Sequence, residues 1–232
     1  VPASKKPYGE ECRSLWVVEK GNVLVGCDLS GIELRCFAHY LKDEEYINEV
    51  VNGDVHTRNQ QAFGVATRDI AKTVLYASLY GASATKIGSI IGVGAAGGQK
   101  TLDNFGSSVP AYKTLTEKIS RMAKEGKLPG LGGYQLTVRS SHSALNTLLQ
   151  SAGAISAKQW LVEFTQDLKK ERIPYKLVGW IHDEVQIETP EQYGETVGKI
   201  VVEAARKAGE KLEFRCPVGA EYHIGKDWSQ TH

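Results

Sequence analysis

Residues 178–188 read VGWIHDEVQIE. Apolar and β-branched side chains flank a polar centre, His182-Asp183-Glu184, so residues 176–188 read as two short strands meeting at a hairpin tip. A tight hairpin favours Asn-Gly or Asp-Gly, which tolerate positive φ, and this tip has neither. A carboxylate at a strand end is costly to bury unless it finds solvent, hydrogen bonds or a cation. Taken alone, the tripeptide reads as a polar turn rather than as the edge of a cation site.

Working outward, residues 22–29 (NVLVGCDL) are apolar and β-branched and predict a buried strand that ends on a second carboxylate, Asp28. Asp28 alone would serve as a turn residue or a helix cap. Glu33 and Arg35 after it would suit a solvated helix face. Two strand ends, each with an aspartate, can close on one site after a long excursion of the chain. That suits Mg²⁺, which prefers oxygen ligands, keeps several waters and takes its remaining ligands from substrate phosphates.

The excursion contains RDIAKTVLYASLYG, residues 68–81. Thr67 is a candidate N-cap, and Gly81 would end the helix near Tyr80. Arg68, Lys72, Tyr76 and Tyr80 recur every fourth residue, so they drift only ~40° per step and share one broad face. Two cations suit phosphate oxygens, and two rings suit a base. The alternative is an ordinary amphipathic helix with tyrosines in the core and cations snorkelling outward.

The rest reads as follows. Residues 31–51 have helical periodicity, and residues 92–100 (GVGAAGGQK) read as a flexible connection without the Lys-Ser/Thr ending of a phosphate loop. Further helices are expected over 115–125 and 143–170, with a tight turn at 129–135. Thr189, Pro190 and Gln192 suggest a capping-box start to a helix running to about residue 211. A final strand follows. Helices inserted between strands that must meet again indicate an α+β sheet domain with a helical insertion.

Composition narrows the function classes without choosing among them. The 232 residues can bury a core for one domain or two joined subdomains. No run of about 20 apolar residues exists, so no membrane span is expected. The start, VPASKKPYGEE, is not a signal peptide and reads as an internal cut point or processed end. Cys12, Cys27, Cys36 and Cys216 lack CxxC spacing, which argues against zinc and for buried thiols in a reducing compartment. The net charge of +1 neither demands nor excludes nucleic acid.

In order and type, the three segments around Asp28, Arg68–Tyr80 and Asp183 resemble motifs A, B and C of the family A (polymerase I-type) DNA polymerases. ELRCFAH, NGDVHTRNQ, the R-x₃-K-x₃-Y-x₃-Y-G helix, SALNTLLQSAG and IHDE add to the likeness. It covers most of the chain and is similar in particular to replicative polymerases of short-tailed bacteriophages. The resemblance implies a right-hand polymerase palm, an antiparallel sheet with packed helices, plus helical fingers. Residues 1–40 and 143–232 would be palm and 41–142 fingers.

It further implies template-directed DNA synthesis: two Mg²⁺ ions, addition of deoxynucleotides to a primer 3′-hydroxyl, and pyrophosphate release. Asp28 and Asp183 would bridge the ions, with the Leu29 carbonyl completing one shell and Glu184 as a supporting carboxylate. Such ions sit ~3.5–4 Å apart. His56, Arg68 and Lys72 would contact the triphosphate, and Lys72 is placed to protonate pyrophosphate. Tyr76 would line sugar and base, and Glu33 would exclude a ribose 2′-hydroxyl. Tyr80 would sit near the templating position, Asn146 and Gln150 on the primer-template, and His182 at the primer end. His142 stands where many bacterial members carry Arg, which weakens that contact.

The thumb, an Arg-rich upstream palm segment and a proofreading exonuclease are expected to be absent, and residues 92–133 are short for fingers. The chain would then be the C-terminal polymerase part of a larger or split enzyme in the cytoplasm, the host's if viral. Its partners would be primer-template DNA, dNTP and a companion polypeptide supplying thumb and exonuclease. An apolar seam near residues 2–16 would mark that junction. Two other readings stay open. A single-subunit RNA polymerase would carry a small residue in place of Glu33, and a non-catalytic half of a split enzyme would not need both aspartates.

Overall fold

The structure, a computed structural model, describes residues 1–231. In chain order the elements are α1 (Gly9–Ser14), β1 (Asn22–Leu29), α2 (Ile32–Leu41), α3 (Glu44–Asn52), α4 (Val55–Phe63), α5 (Arg68–Leu79), α6 (Ala84–Ile91), α7 (Ala95–Ser108) and α8 (Pro110–Lys124). Then come β2 (Lys127–Pro129), β3 (Gln135–Thr137), α9 (Ala144–Lys170), β4 (Lys176–Ile181), β5 (Glu184–Pro190), α10 (Gly194–Lys211) and β6 (Ala220–Gly225). The chain divides into two compact units, one of residues 1–32 and 153–232 and the other of residues 33–152.

The first unit is built on an antiparallel sheet in the order β4-β5-β1-β6. β1 lies inside the sheet, which explains its near-continuous apolar run: Val23, Leu24, Val25, Cys27 and Leu29 are all buried. α10 covers the sheet with Val197, Val201, Ala204, Ala205 and Ala208. Each large apolar side chain so buried contributes about 1.5–3 kcal/mol relative to exposure. Gly198 lets α10 lie close, because a Cβ there would meet the Tyr222 ring at 2.3 Å. Trp160 on α9 is fully buried, and its indole N–H donates to the Val201 carbonyl at 2.7 Å.

The second unit is helical with one small hairpin, β2–β3. α5 buries Ala71, Val74, Leu75, Ser78 and Leu79, the i, i+3, i+4, i+7 stripe of an amphipathic helix. Phe63 and Phe105 stack at 4.2 Å in its core, with Phe37 edge-on to Tyr46.

Several expectations need correction. The periodic stretch 31–51 is helical, as expected, and divides into two helices, α2 and α3. Lys42 adopts positive φ (57°), and the Asp43 side chain accepts from the Tyr46 N–H as the cap of α3. The flexible connection expected at 92–100 is limited to residues 92–94, and residues 95–100 are the start of α7. Gly98 is there for packing, since a Cβ on it would meet the Ala84 carbonyl oxygen of α6. The tight turn expected at 129–135 is present, as the connection of the β2–β3 hairpin, in which Pro129 pairs with Gln135. Thr189 belongs to β5 and donates to the Pro174 carbonyl, so α10 starts without a side-chain cap.

Candidate active site

In the first unit, the ladder fixes where the acidic residues stand. Asp28 pairs with Glu184 on one side and with Glu221 on the other. Directly paired residues project to the same face of a sheet, so three carboxylates form a row across β5, β1 and β6. Beyond the ladder, the Leu29 N–H donates to the Asp183 carbonyl at 3.0 Å. This bond brings the two predicted aspartates to the same end of the sheet, both half-buried. Among the described residues no three His, Cys, Asp or Glu side chains converge to hold an ion.

The hairpin tip is as the sequence suggested. Ile181 pairs with Glu184, leaving His182 and Asp183 as the two turn residues. His182 is exposed and holds φ 58°, and the Trp180 indole N–H donates to its carbonyl at 2.9 Å. Left-handed backbone costs a non-glycine residue roughly 1–2 kcal/mol, and such strain clusters at functional sites. Glu184 is buried, and its Oε1 accepts from Trp228 at 2.5 Å and from Gln186 at 2.7 Å. Burial, followed by the charges of Asp28 and Glu221, pushes the Cys27 thiol far above its usual range.

In the second unit, the four-residue spacing lies along the outer edge of α5. Thr67 caps the helix by accepting from the Ile70 N–H. Arg68, Lys72 and Tyr80 are exposed and Tyr76 is half-buried, so these tyrosines are not the core of the helix. Gly81 ends it at positive φ, where a Cβ would meet the His142 carbonyl oxygen at 2.3 Å. Arg68 Nε contacts both oxygens of Asp54, at 3.1 and 2.9 Å, and this holds Asp54 well below the usual carboxylate range. His56 is lowered first by burial and then by Arg68 and Lys72, against the opposing charge of Asp54. The three predicted phosphate-binding side chains are therefore electrostatic neighbours. His56 Nδ1 is buried without a hydrogen-bond partner.

Glu33, Tyr80 and Gln150 form one network. Gln150 Nε2 donates to Glu33 Oε1 at 2.5 Å and to the Tyr80 hydroxyl at 3.4 Å. A hydrogen bond to Glu33, then burial, raises the Tyr80 phenol, while burial and then Glu33 raise Tyr76. Asn146 is half-buried on α9, one turn before Gln150. Asp54, Glu221 and Trp228 were not singled out from the sequence. Asp54 had a local signal, as the cap of α4, whereas the other two are placed only by strand pairing and the C-terminal turn.

A family model described as DNA polymerase family A matches residues 1–230. A DNA-directed DNA polymerase of Enterobacteria phage T3 is 37% identical across all of this chain and 38% of its own length. DNA polymerase I of Aquifex aeolicus is 27% identical over 95% of this chain and 42% of its own. Among solved structures, the POL domain of Pol1 from M. smegmatis, in complex with DNA primer-template and dNTP, is similar in fold. It aligns with TM-score 0.87 and 21% identity over 97% of this chain and 43% of its own.

Proposed function

The chain belongs to the family A DNA polymerases, and from that premise we propose that it performs template-directed addition of deoxynucleotides to a primer 3′-hydroxyl, releasing pyrophosphate. The observation that carries the reading is the Leu29–Asp183 backbone bond, which sets Asp28 and Asp183 at one sheet end. Two aspartates and a backbone carbonyl, with no third ligating side chain among the described residues, suit Mg²⁺, which draws its other ligands from water and phosphate. Asp28, Asp183 and the Leu29 carbonyl would hold two such ions. Bound, they supply Lewis acidity to the attacking hydroxyl and the departing phosphates.

The remaining work falls to this chain's own side chains. Arg68 and Lys72 neutralise the β- and γ-phosphates, and His56 offers its unpaired Nδ1 to the same group. Lys72 gives a proton to the leaving pyrophosphate. Tyr76 lines the sugar and base, and Glu33, held by Gln150, excludes a 2′-hydroxyl. Tyr80, Asn146, Gln150 and His182 orient primer and template. Most of the effect is positioning and preorganised charge. In this reading the first unit is palm and the second fingers.

The chain spans 38% of the length of the T3 relative. We assign thumb and exonuclease to an upstream part of the polymerase, in the same chain or a companion. Tyr8, Leu15, Trp16 and Val17 are 75%, 78%, 61% and 71% exposed, and Val178 and Trp180 on β4 are also exposed. Such an apolar seam fits that junction. No helix among the described residues is long and apolar enough to cross a membrane. By its likeness to phage and bacterial polymerases we place the enzyme in the cytoplasm, the host's if it is viral. The test is primer extension by the chain alone across salt and Mg²⁺ series. Weak, salt-sensitive, Mg²⁺-dependent deoxynucleotide addition is expected. Tight binding and long products from the chain alone would remove the companion. Efficient ribonucleotide addition would favour an RNA polymerase instead.

A further inference from the structure

Resting on the reading of the Asp28–Asp183 end as a divalent-cation site, the inference concerns what holds the third carboxylate beside it. Glu184 is only 5% exposed, and a buried carboxylate is costly without hydrogen bonds. Its Oε1 accepts from the Trp228 indole and the Gln186 amide, both uncharged. Together the two donors fix the direction in which that carboxylate oxygen points. Gln186 is itself oriented. The Thr231 hydroxyl donates to Gln186 Oε1 at 2.8 Å, so the amide turns its NH₂ toward Glu184.

Trp228 and Thr231 belong to one short C-terminal segment, which β1 accommodates through Gly26. A Cβ on Gly26 would meet the Thr231 carbonyl oxygen at 2.4 Å and Gln186 Nε2 at 2.5 Å. From outside, the Arg13 guanidinium lies 4.4 Å from the Trp228 ring centroid, and Trp16 meets that ring edge-on. Every one of these groups lies in the first unit.

We propose that the Trp228–Thr231 segment is a positioning device for the cation site: its indole N–H and the Thr231–Gln186 pair hold the Glu184 carboxylate in place beside Asp28, raising divalent-cation affinity without ligating the ion. Outer-shell partners that fix the orientation of a group beside a metal site tune the affinity of that site. The segment therefore couples the end of the chain to the acidic row.

The experiment is Mn²⁺ binding to the full chain without DNA, followed by electron paramagnetic resonance, with thermal melting recorded for every variant. Trp228→Phe keeps a ring and loses the donor, and is expected to weaken Mn²⁺ binding about tenfold. Glu184→Gln should weaken it similarly. The double variant should be no weaker than Glu184→Gln alone, because the tryptophan acts through that carboxylate. Trp16→Phe, which touches only the outer ring contact, should leave affinity unchanged. If Trp228→Phe unfolds, Gln186→Met carries the same comparison. Unchanged affinity in a folded variant, or additive losses in the double variant, would overturn the positioning role. Asp28→Asn separates the two layers: if it binds Mn²⁺ like the wild type, the cation-site reading itself fails.

Discussion

The two units present their functional groups by different means. In the first, Asp28 on a strand and Asp183 in the turn of a distant hairpin come to the same end of the sheet because a β-ladder and one backbone bond fix their register. In the second, Arg68, Lys72, Tyr76 and Tyr80 come from a single helix and share an edge because of its period. A site made by register is all-or-none, since a one-residue slip turns every side chain to the other face. A helical edge tolerates loss of one member, because the others keep their places. The acidic end should respond sharply to substitution and the cationic edge by degrees.

The largest expected effect is at the ladder. Asp28→Ala or Asp183→Ala should each reduce extension by about ten-thousandfold, because one carboxylate cannot hold two cations against their repulsion. Melting temperatures should hold or rise, since clustered negative charge is relieved. Either variant retaining more than a few per cent of the rate would break the assignment.

Next come the helix-edge cations. Lys72→Ala or Arg68→Ala should lower kcat/KM for dNTP by about a hundredfold, the usual loss of one preorganised charge-stabilising donor. If either matched the aspartate losses, the contrast between register and period would fail. A smaller, more specific change is expected for Glu33→Ala. Ribonucleotide incorporation relative to deoxyribonucleotide should rise, by about tenfold or more for a site that rejects one hydroxyl. An unchanged ratio would remove the exclusion role.

The smallest effect concerns His56. Burial, then Arg68 and Lys72, hold its pKa below the ordinary imidazole value, and Asp54 opposes them. The folded state then binds that proton more weakly than the unfolded chain. This group's contribution is present above about pH 6.5 and is lost as pH falls from there through the lower folded value. His56→Gln should flatten the fall in melting temperature between neutral and mildly acidic pH. A saturating triphosphate should shrink the difference in the parent chain, because it screens the two cations. An identical pH profile in parent and variant would show that His56 does not sit in that field.

Much of this was legible in local sequence. The strand at residues 22–29, the Thr67 cap, the Gly81 stop and the His182–Asp183 tip all follow from short-range chemistry. The errors also have local causes. Residues 92–100 looked like a linker because four glycines weaken helix propensity there, yet Gly98 is needed for α6 and α7 to approach. The break at Lys42–Asp43 was hidden because apolar periodicity continues across it while the cap at Asp43 starts a new helix.

By itself, the sequence determined which groups could do chemistry: two strand-end aspartates, a line of cations and rings along a helix, and the family to which their order belongs. The tertiary structure alone decided which groups stand together. Pairing of β1 with β5 and β6 set Glu184 and Glu221 beside Asp28, and the C-terminal turn set Trp228 against Glu184, 44 residues away. Helical neighbours are fixed by a period written within a few residues. Neighbours across a sheet depend on the register between distant segments, which no local pattern specifies.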